Sequence, residues 1–270
     1  MTGDGASTAM REAPEVVLER HADVLIIRLN RPHARNAINA AVTARLGAAL
    51  EELQDDDALR VAVLTGTGSV FCAGQDLKAF AAGEPVVPAD RPEWGFAGWV
   101  SHYSAKPIIA ALNGHAFGGG LELALACDLI VAADDAMLGL PEVTRGLFAA
   151  GGGVPRIVQQ LPEKIGLHML LTGDPMSVAE AARWGLVNET VAANQVLPRA
   201  LALAGAVARN APLSVQATKK VAALAGHTGT WTPAAWELVR AEFDRVFSSE
   251  DAAEGAAAFA HKRAPVWSGR

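Results

Sequence analysis

Two glutamates in apolar surroundings are the residues of this 270-residue chain best suited to acid–base chemistry. Glu122 sits among Leu121, Leu123, Ala124 and Leu125, and Glu142 closes the run Met137-Leu-Gly-Leu-Pro-Glu142. A carboxylate in such surroundings is destabilised as an ion, so its pKa rises towards the range where it can give or take a proton near neutral pH. Two such groups facing one small cavity would hold a water and pass its proton without a metal. Twenty residues separate them, too many for one helix face but suited to the ends of successive elements. Each also has a structural reading, because a glutamate in the first turn of a helix serves as cap or dipole partner and Pro-Glu is a common turn pair.

The elements that must position them start from the strand-like run Pro107-Ile-Ile-Ala-Ala-Leu112. It passes through Asn113-Gly-His-Ala-Phe and the glycines 118 to 120 into a segment that reads as helix and carries Glu122. Glycines at such a junction permit unusual backbone angles, and the first helical turn has free N–H groups at the positive end of the helix dipole. The stretch Val70-Phe-Cys-Ala-Gly-Gln-Asp-Leu77 repeats this layout, with a helix expected from Asp76. Two junctions of this kind are the means of offering two backbone N–H groups to one oxygen, the geometry of an oxyanion hole. The glycine triplet lacks the G-x-G-x-x-G spacing of a dinucleotide site, and no P-loop lysine follows it.

Around these junctions the pattern is one of alternating strands and helices. Val16–His21 and Val24–Asn30 read as a hairpin, Val42–Asp55 as a helix with Leu46, Leu50 and Leu53 on one face, and Arg60–Thr65 and Leu129–Ala133 as short strands. Residues 81–94 are rich in breakers and read as a long loop running into Trp94, Phe96, Trp99 and Tyr103, aromatics that either wall a substrate or dock the loop. Residues 143–153 read as a flexible, glycine-rich segment. Beyond Val154 the chain reads as helices over 155–171, 177–184, 193–210, 214–225, 233–248 and 251–261, then a basic tail from Lys262. The expected organisation is a loose tail over 1–15, an α/β core over 16–200 and a helical region over 201–270.

Composition narrows the function classes. A formal charge of -6 disfavours nucleic acid as partner, and no apolar run reaches the length of a membrane span. Cys72 and Cys127 have neither disulfide nor metal spacing and are expected as buried small side chains. The opening ten residues lack a basic segment followed by an apolar one, so cytoplasm is the expected location.

Taken together and in order, Asn30-Arg-Pro, Asn36-Ala37, Phe71-Cys-Ala-Gly-Gln-Asp-Leu77, Lys106-Pro-Ile-Ile-Ala-Ala-Leu-Asn-Gly114, Gly118-Gly-Gly-Leu-Glu-Leu-Ala124, Cys127-Asp128 and Pro141-Glu142 resemble the crotonase, or enoyl-CoA hydratase/isomerase, superfamily. The resemblance runs from about Val16 to the C-terminus. It implies a spiral of ββα repeats with a C-terminal helical region for oligomerisation and lid, an acyl-CoA thioester as substrate, no separate cofactor, no metal, and a homotrimer or dimer of trimers. It implies an oxyanion hole from the amides of Gln75 and Gly119. Glu122 would chiefly activate water and Glu142 would transfer a proton at the α-carbon. Arg31, Asn36, Ala37, Ala73 and Lys78, with Lys262, would border the coenzyme A portion, and Trp94, Phe96 and Trp99 the acyl pocket. Gln75 stands where the family more often has alanine, and Arg145 adds a cation near Glu142. The expected activity is hydration of a 2-enoyl-CoA. The alternatives are an enoyl-CoA isomerase, a carnitinyl-CoA-type dehydratase, or a non-catalytic acyl-CoA-binding protein.

Overall fold

The computed structural model describes residues 14–228 and 232–270, so most of the expected N-terminal tail lies outside the described residues. The chain opens with the antiparallel hairpin β1 (Val16–His21) and β2 (Val24–Leu29), followed by α1 (Ala40–Asp55). Asn39 caps α1 by accepting from the Val42 amide, and Val42, Leu46, Ala49, Leu50 and Leu53 form its buried stripe. Burying each of those leucines contributes about 1.5–3 kcal/mol.

Three further units repeat the plan of two strands and a helix. They are β3 (Val61–Gly66), β4 (Val70–Cys72) and α2 (Leu77–Ala81); β5 (Ile108–Leu112), β6 (His115–Phe117) and α3 (Gly119–Leu125); then β7 (Leu129–Ala133), β8 (Met137–Gly139) and, after a 3-10 turn at Pro141–Arg145, α4 (Gly153–Gln160). The first strand of each unit joins a large sheet of order β1-β2-β3-β5-β7-β10, and the second joins a small sheet of order β4-β6-β8-β9. From β2 to β10 the large sheet is parallel, and so is the small sheet from β4 to β8. Each unit therefore stacks on the one before, which is the expected ββα spiral. β3 and β5 are buried along their whole length, which explains their unbroken apolar sequences.

The remaining elements are α5 (Glu163–Thr172), β9 (Met176–Ser177), α6 (Val178–Arg183), β10 (Glu189–Val191), α7 (Val196–Ala208), α8 (Pro212–Thr228), α9 (Pro233–Phe247) and α10 (Glu250–Ala260). The helix expected over 155–171 is two helices, broken at Leu161-Pro162, because proline has neither the N–H nor the room to continue the first. α7 packs on the large sheet, with Ala200, Ala204 and Ala208 buried. The C-terminal tail folds back on its own chain: the Trp267 indole donates to the Arg209 carbonyl at 2.7 Å, and the Ser268 amide donates to Asp251 at 2.6 Å. Both cysteines are free and buried. Among the described residues no helix is long and apolar enough to cross a membrane.

Candidate active site

The carboxyl ends of β4, β6 and β8 lie side by side because these strands are parallel neighbours, and each is followed at once by a residue of the site. Beyond β4 come Gly74 and Gln75; beyond β6 come Gly118, Gly119 and, one turn into α3, Glu122; beyond β8 comes Glu142. Residues distant in sequence meet here through strand order alone.

The two junction amides converge. A Cβ built on Gly74 would lie 3.0 Å from the Gly119 nitrogen, and one built on Gly119 would lie 3.6 Å from the Gln75 nitrogen. Gly119 is the first residue of α3 and has no acceptor one turn back inside the helix, and the Gln75 amide donates to no backbone or side-chain acceptor among the described residues. Gly118 makes the turn from β6 into α3 at φ 54° and ψ -130°, a region that belongs to glycine. Two neighbouring donors without acceptors at a helix start suit an oxygen that gains negative charge.

The carboxylates flank this pair. Glu122 is 4% exposed, and its Oε1 accepts from the Gly153 amide at 2.8 Å. Burial, and to a smaller degree the charge of Glu142, push its pKa up to about 7, while the amides of Gly153 and Gly151 and the charge of Arg156 act the other way. Glu142 comes from the 3-10 turn with its Oε1 3.2 Å from the place a Cβ on Gly118 would occupy. Its Oε2 is buried without a hydrogen-bond partner among the described residues, and burial raises its pKa as well. A buried carboxylate oxygen left unpaired is costly unless a ligand supplies the missing donor. Arg145 is exposed and forms no ion pair with Glu142 among the described residues.

The segment expected to be flexible, residues 143–153, ends in a tight grip on Glu122. A Cβ on Gly151 would sit 2.5 Å from Glu122 Oε2 and one on Gly153 2.9 Å from Oε1. These glycines serve close approach, and sequence reasoning missed that role; the signal was the triplet Gly151-Gly-Gly153 at a helix start. Arg156, behind the same turn, was also missed.

A family model described as Enoyl-CoA hydratase/isomerase matches residues 19–270. The chain belongs to the enoyl-CoA hydratase/isomerase family. It is 44% identical over 259 residues to a protein named carnitinyl-CoA dehydratase from Proteus mirabilis, covering 94% of this chain and 98% of that one. Among solved structures it resembles the enoyl-CoA hydratase EchA1 from Mycobacterium marinum (44% identity, TM-score 0.90, 96% and 100% of the two chains). It also resembles a carnitinyl-CoA hydratase from Mycobacterium avium (52% identity, TM-score 0.77, 96% and 100%). It is thus an enzyme of the crotonase family, of hydratase or dehydratase type.

The positions that the family resemblance marks for coenzyme A separate in this enzyme. Arg31, 9% exposed, is committed within the β4–α2 junction: Nη1 donates to the Ala37 carbonyl at 2.6 Å and to Asp76 at 3.1 Å, and Nε lies 3.0 Å from Glu15. Asn36 is buried too, its amide donating to the Thr67, Val70 and Phe71 carbonyls. Ala37 is buried, whereas Ala73 and Lys78 are exposed beside Gln75. Lys262 is exposed after α10, and no hydrogen bond or ion pair of its side chain joins it to the site among the described residues.

The aromatics separate likewise. Phe96 lies directly over Gly119, where a Cβ would meet its ring at 2.5 Å. Trp99 is a core residue, 2% exposed. Trp94 packs on Gly47 of α1 and stacks on His102 with ring centroids 4.1 Å apart. These two therefore anchor the loop whose turn, with Gly95, Ala97 and Gly98 all at positive φ, presents Phe96.

Proposed function

We propose that this enzyme is an enoyl-CoA hydratase, adding water reversibly across the 2,3 double bond of a 2-enoyl-CoA thioester. The observation that carries the reading is the convergence of two pKa-raised carboxyls, one with an unpartnered oxygen, on two amides that lack acceptors. The thioester oxygen accepts from the Gln75 and Gly119 amides, which stabilise the enolate-like charge formed when hydroxide adds at the β-carbon. Glu122 takes the proton from the attacking water, and Glu142 gives one to the α-carbon. Elimination runs the same steps backwards: the Glu142 carboxylate removes the α-proton and Glu122 protonates the departing hydroxyl. In either direction these steps need one proton on the pair, and the two groups are coupled, since the charge of Glu142 helps to raise the pKa of Glu122. Ala73 and Lys78, exposed at the first junction, would meet the coenzyme A portion, while Arg31 and Asn36 would shape that junction from beneath. Phe96 would wall the acyl group.

The names of the relatives favour a second reading, that the working direction is dehydration of a carnitinyl-CoA-type thioester. The catalytic groups are the same, and only the acyl group differs. The test is a panel of 2-enoyl- and 3-hydroxyacyl-CoA esters, short, long, ring-bearing and quaternary-ammonium-bearing, with loss or gain of conjugated-thioester absorbance and mass detection of one water. Glu122→Gln and Glu142→Gln should each lower turnover by about 10²–10⁴ while ester binding persists. Unchanged turnover in both would sink the two-carboxylate mechanism. Migration of a 3-enoyl double bond with no hydroxyacyl product would replace hydration by isomerisation.

A further inference from the structure

We propose that Arg156 is a positioning residue for Glu122, tying the glycine turn that grips this carboxylate to the loop that presents Phe96 and placing a positive charge behind it. The inference deepens the hydration reading and rests on it.

The turn Gly151-Gly152-Gly153 has the carboxylate on one side and the guanidinium on the other. A Cβ on Gly151 or Gly153 would run into the Glu122 carboxylate, and one on Gly152 would run into Arg156 Nη1. Gly152 itself is at φ 92°. From α4, Arg156 Nη2 donates to the Val100 carbonyl, at the end of the Phe96 loop, and Nη1 donates to the Gly151 carbonyl at 3.5 Å. Two segments distant in sequence are thus held by one side chain.

Arg156 forms no salt bridge among the described residues, although it is partly buried. A cation taken out of water without a contacting anion is costly, and here the negative charge that offsets it is Glu122, acting through the thin glycine turn. The charged groups facing Glu122 are Glu142 from the 3-10 turn and Arg156 from α4, and they act on its proton in opposite senses. Removing Arg156 leaves burial and Glu142 unopposed, so Glu122 holds its proton to higher pH. Since the pair works with one proton, the loss of activity on the alkaline side moves up with it.

The test separates charge from hydrogen bonding. Arg156→Gln keeps planar donors without charge, and Arg156→Lys keeps charge with a single compact donor group. In the glutamine variant kcat should fall about tenfold or more with KM changed by less than about threefold, and the alkaline limb of kcat/KM should move to higher pH. The lysine variant should keep the limb near its original place and recover part of kcat. A readout that needs no turnover is the ¹³C-carboxyl titration of Glu122, assigned by its absence in Glu122→Gln, which should move upward in Arg156→Gln. If that titration stays where it is in folded Arg156→Gln, or shifts equally in Arg156→Lys, the proposal is overturned. A wild-type protein that hydrates and dehydrates no ester on the panel sinks the hydratase reading instead, and the titration still decides the placing of Arg156 behind Glu122.

Discussion

The two strand-to-helix junctions that supply the amides are built alike and finished differently. After β4, the side chain of Asp76 caps α2, accepting from Lys78 and Ala79 at 3.1 and 3.3 Å, and Arg31 holds the cap from behind. The free donors of that helix are thus used internally, and the Gln75 amide, just ahead of the cap, is left open. After β6 there is no side-chain cap at all: Gly118 turns the chain, α3 starts bare, and its first turn carries Glu122. An uncapped, buried helix start forgoes about 0.5–2 kcal/mol of stability, and its open N–H groups face the place where charge develops. The first junction is finished for stability and lends one donor, whereas the second gives up its own satisfaction to the chemistry.

The largest effect should come from filling the second junction. Gly119→Ala places a methyl where the Phe96 ring lies, 2.5 Å away, so ring or helix start must shift and the donor pair separates. Losing one oxyanion donor costs about 10²–10³ in kcat, and kcat/KM should fall on that scale with little loss of thermal stability beyond a few degrees. Adding Phe96→Ala should return part of the rate by making room. If Gly119→Ala alone turns over at the parent rate, the bare helix start is not the oxygen's site.

The pH profile comes next. With Glu122 titrating at about 7, hydration should decline above that pH as the pair loses its shared proton, and below it the decline should begin where Glu142, also raised above the ordinary carboxylate value, takes a second one. A profile flat from pH 6 to 9 on a panel substrate would remove Glu122 from the proton-bearing pair.

The same group makes a stability prediction of opposite sign to its catalytic one. Its pKa in the folded protein is above the unfolded value of 4.5, so the folded state binds the proton more tightly and stability falls as pH rises from about 4.5 to about 7, remaining low beyond. Glu122→Gln removes the charge and keeps an acceptor for the Gly153 amide. At pH 8 it should be more stable than the parent by about 1–3 kcal/mol, the difference closing below about pH 4.5, in melts followed by circular dichroism. A dead but stabilised variant would be the mark of a residue kept for chemistry; one destabilised at every pH would mean that Glu122 serves chiefly to pack.

Much of this plan was legible in the sequence where local physics decides it. Unbroken apolar runs marked β3 and β5, Asp76 stood at a true helix start, and apolar neighbours marked both glutamates as expensive ions. What stayed hidden depends on partners far along the chain. β6 has three residues, too few to show a period, yet it alone puts Gly119 beside Gln75. Gly151 to Gly153 read as slack because a glycine looks the same whether it loosens a loop or admits a carboxylate. Arg31 and Asn36 carry polar groups that a ligand would use, and only the folded chain shows them spent on the Ala37, Phe71 and Asp76 contacts.

The smallest effect tests the first junction. Burial by itself would raise the Asp76 pKa, but the Ala79 and Lys78 amides and Arg31 outweigh it and hold the carboxyl below its ordinary value. Its contribution is therefore present above the unfolded value of 3.8 and lost as pH falls through the lower folded one. Asp76→Ala should destabilise the protein by about 0.5–2 kcal/mol at pH 7, the usual range for an N-cap, and by less at pH 2–3. Activity should fall less than about tenfold, because the Gln75 amide is fixed from its other side by the Ile38–Gly74 and Asp76–Ile38 backbone hydrogen bonds at 2.9 and 2.8 Å. A loss as large as that of Gly119→Ala would mean that the cap positions the donor as well as the helix, and the division of labour between the two junctions would have to be given up.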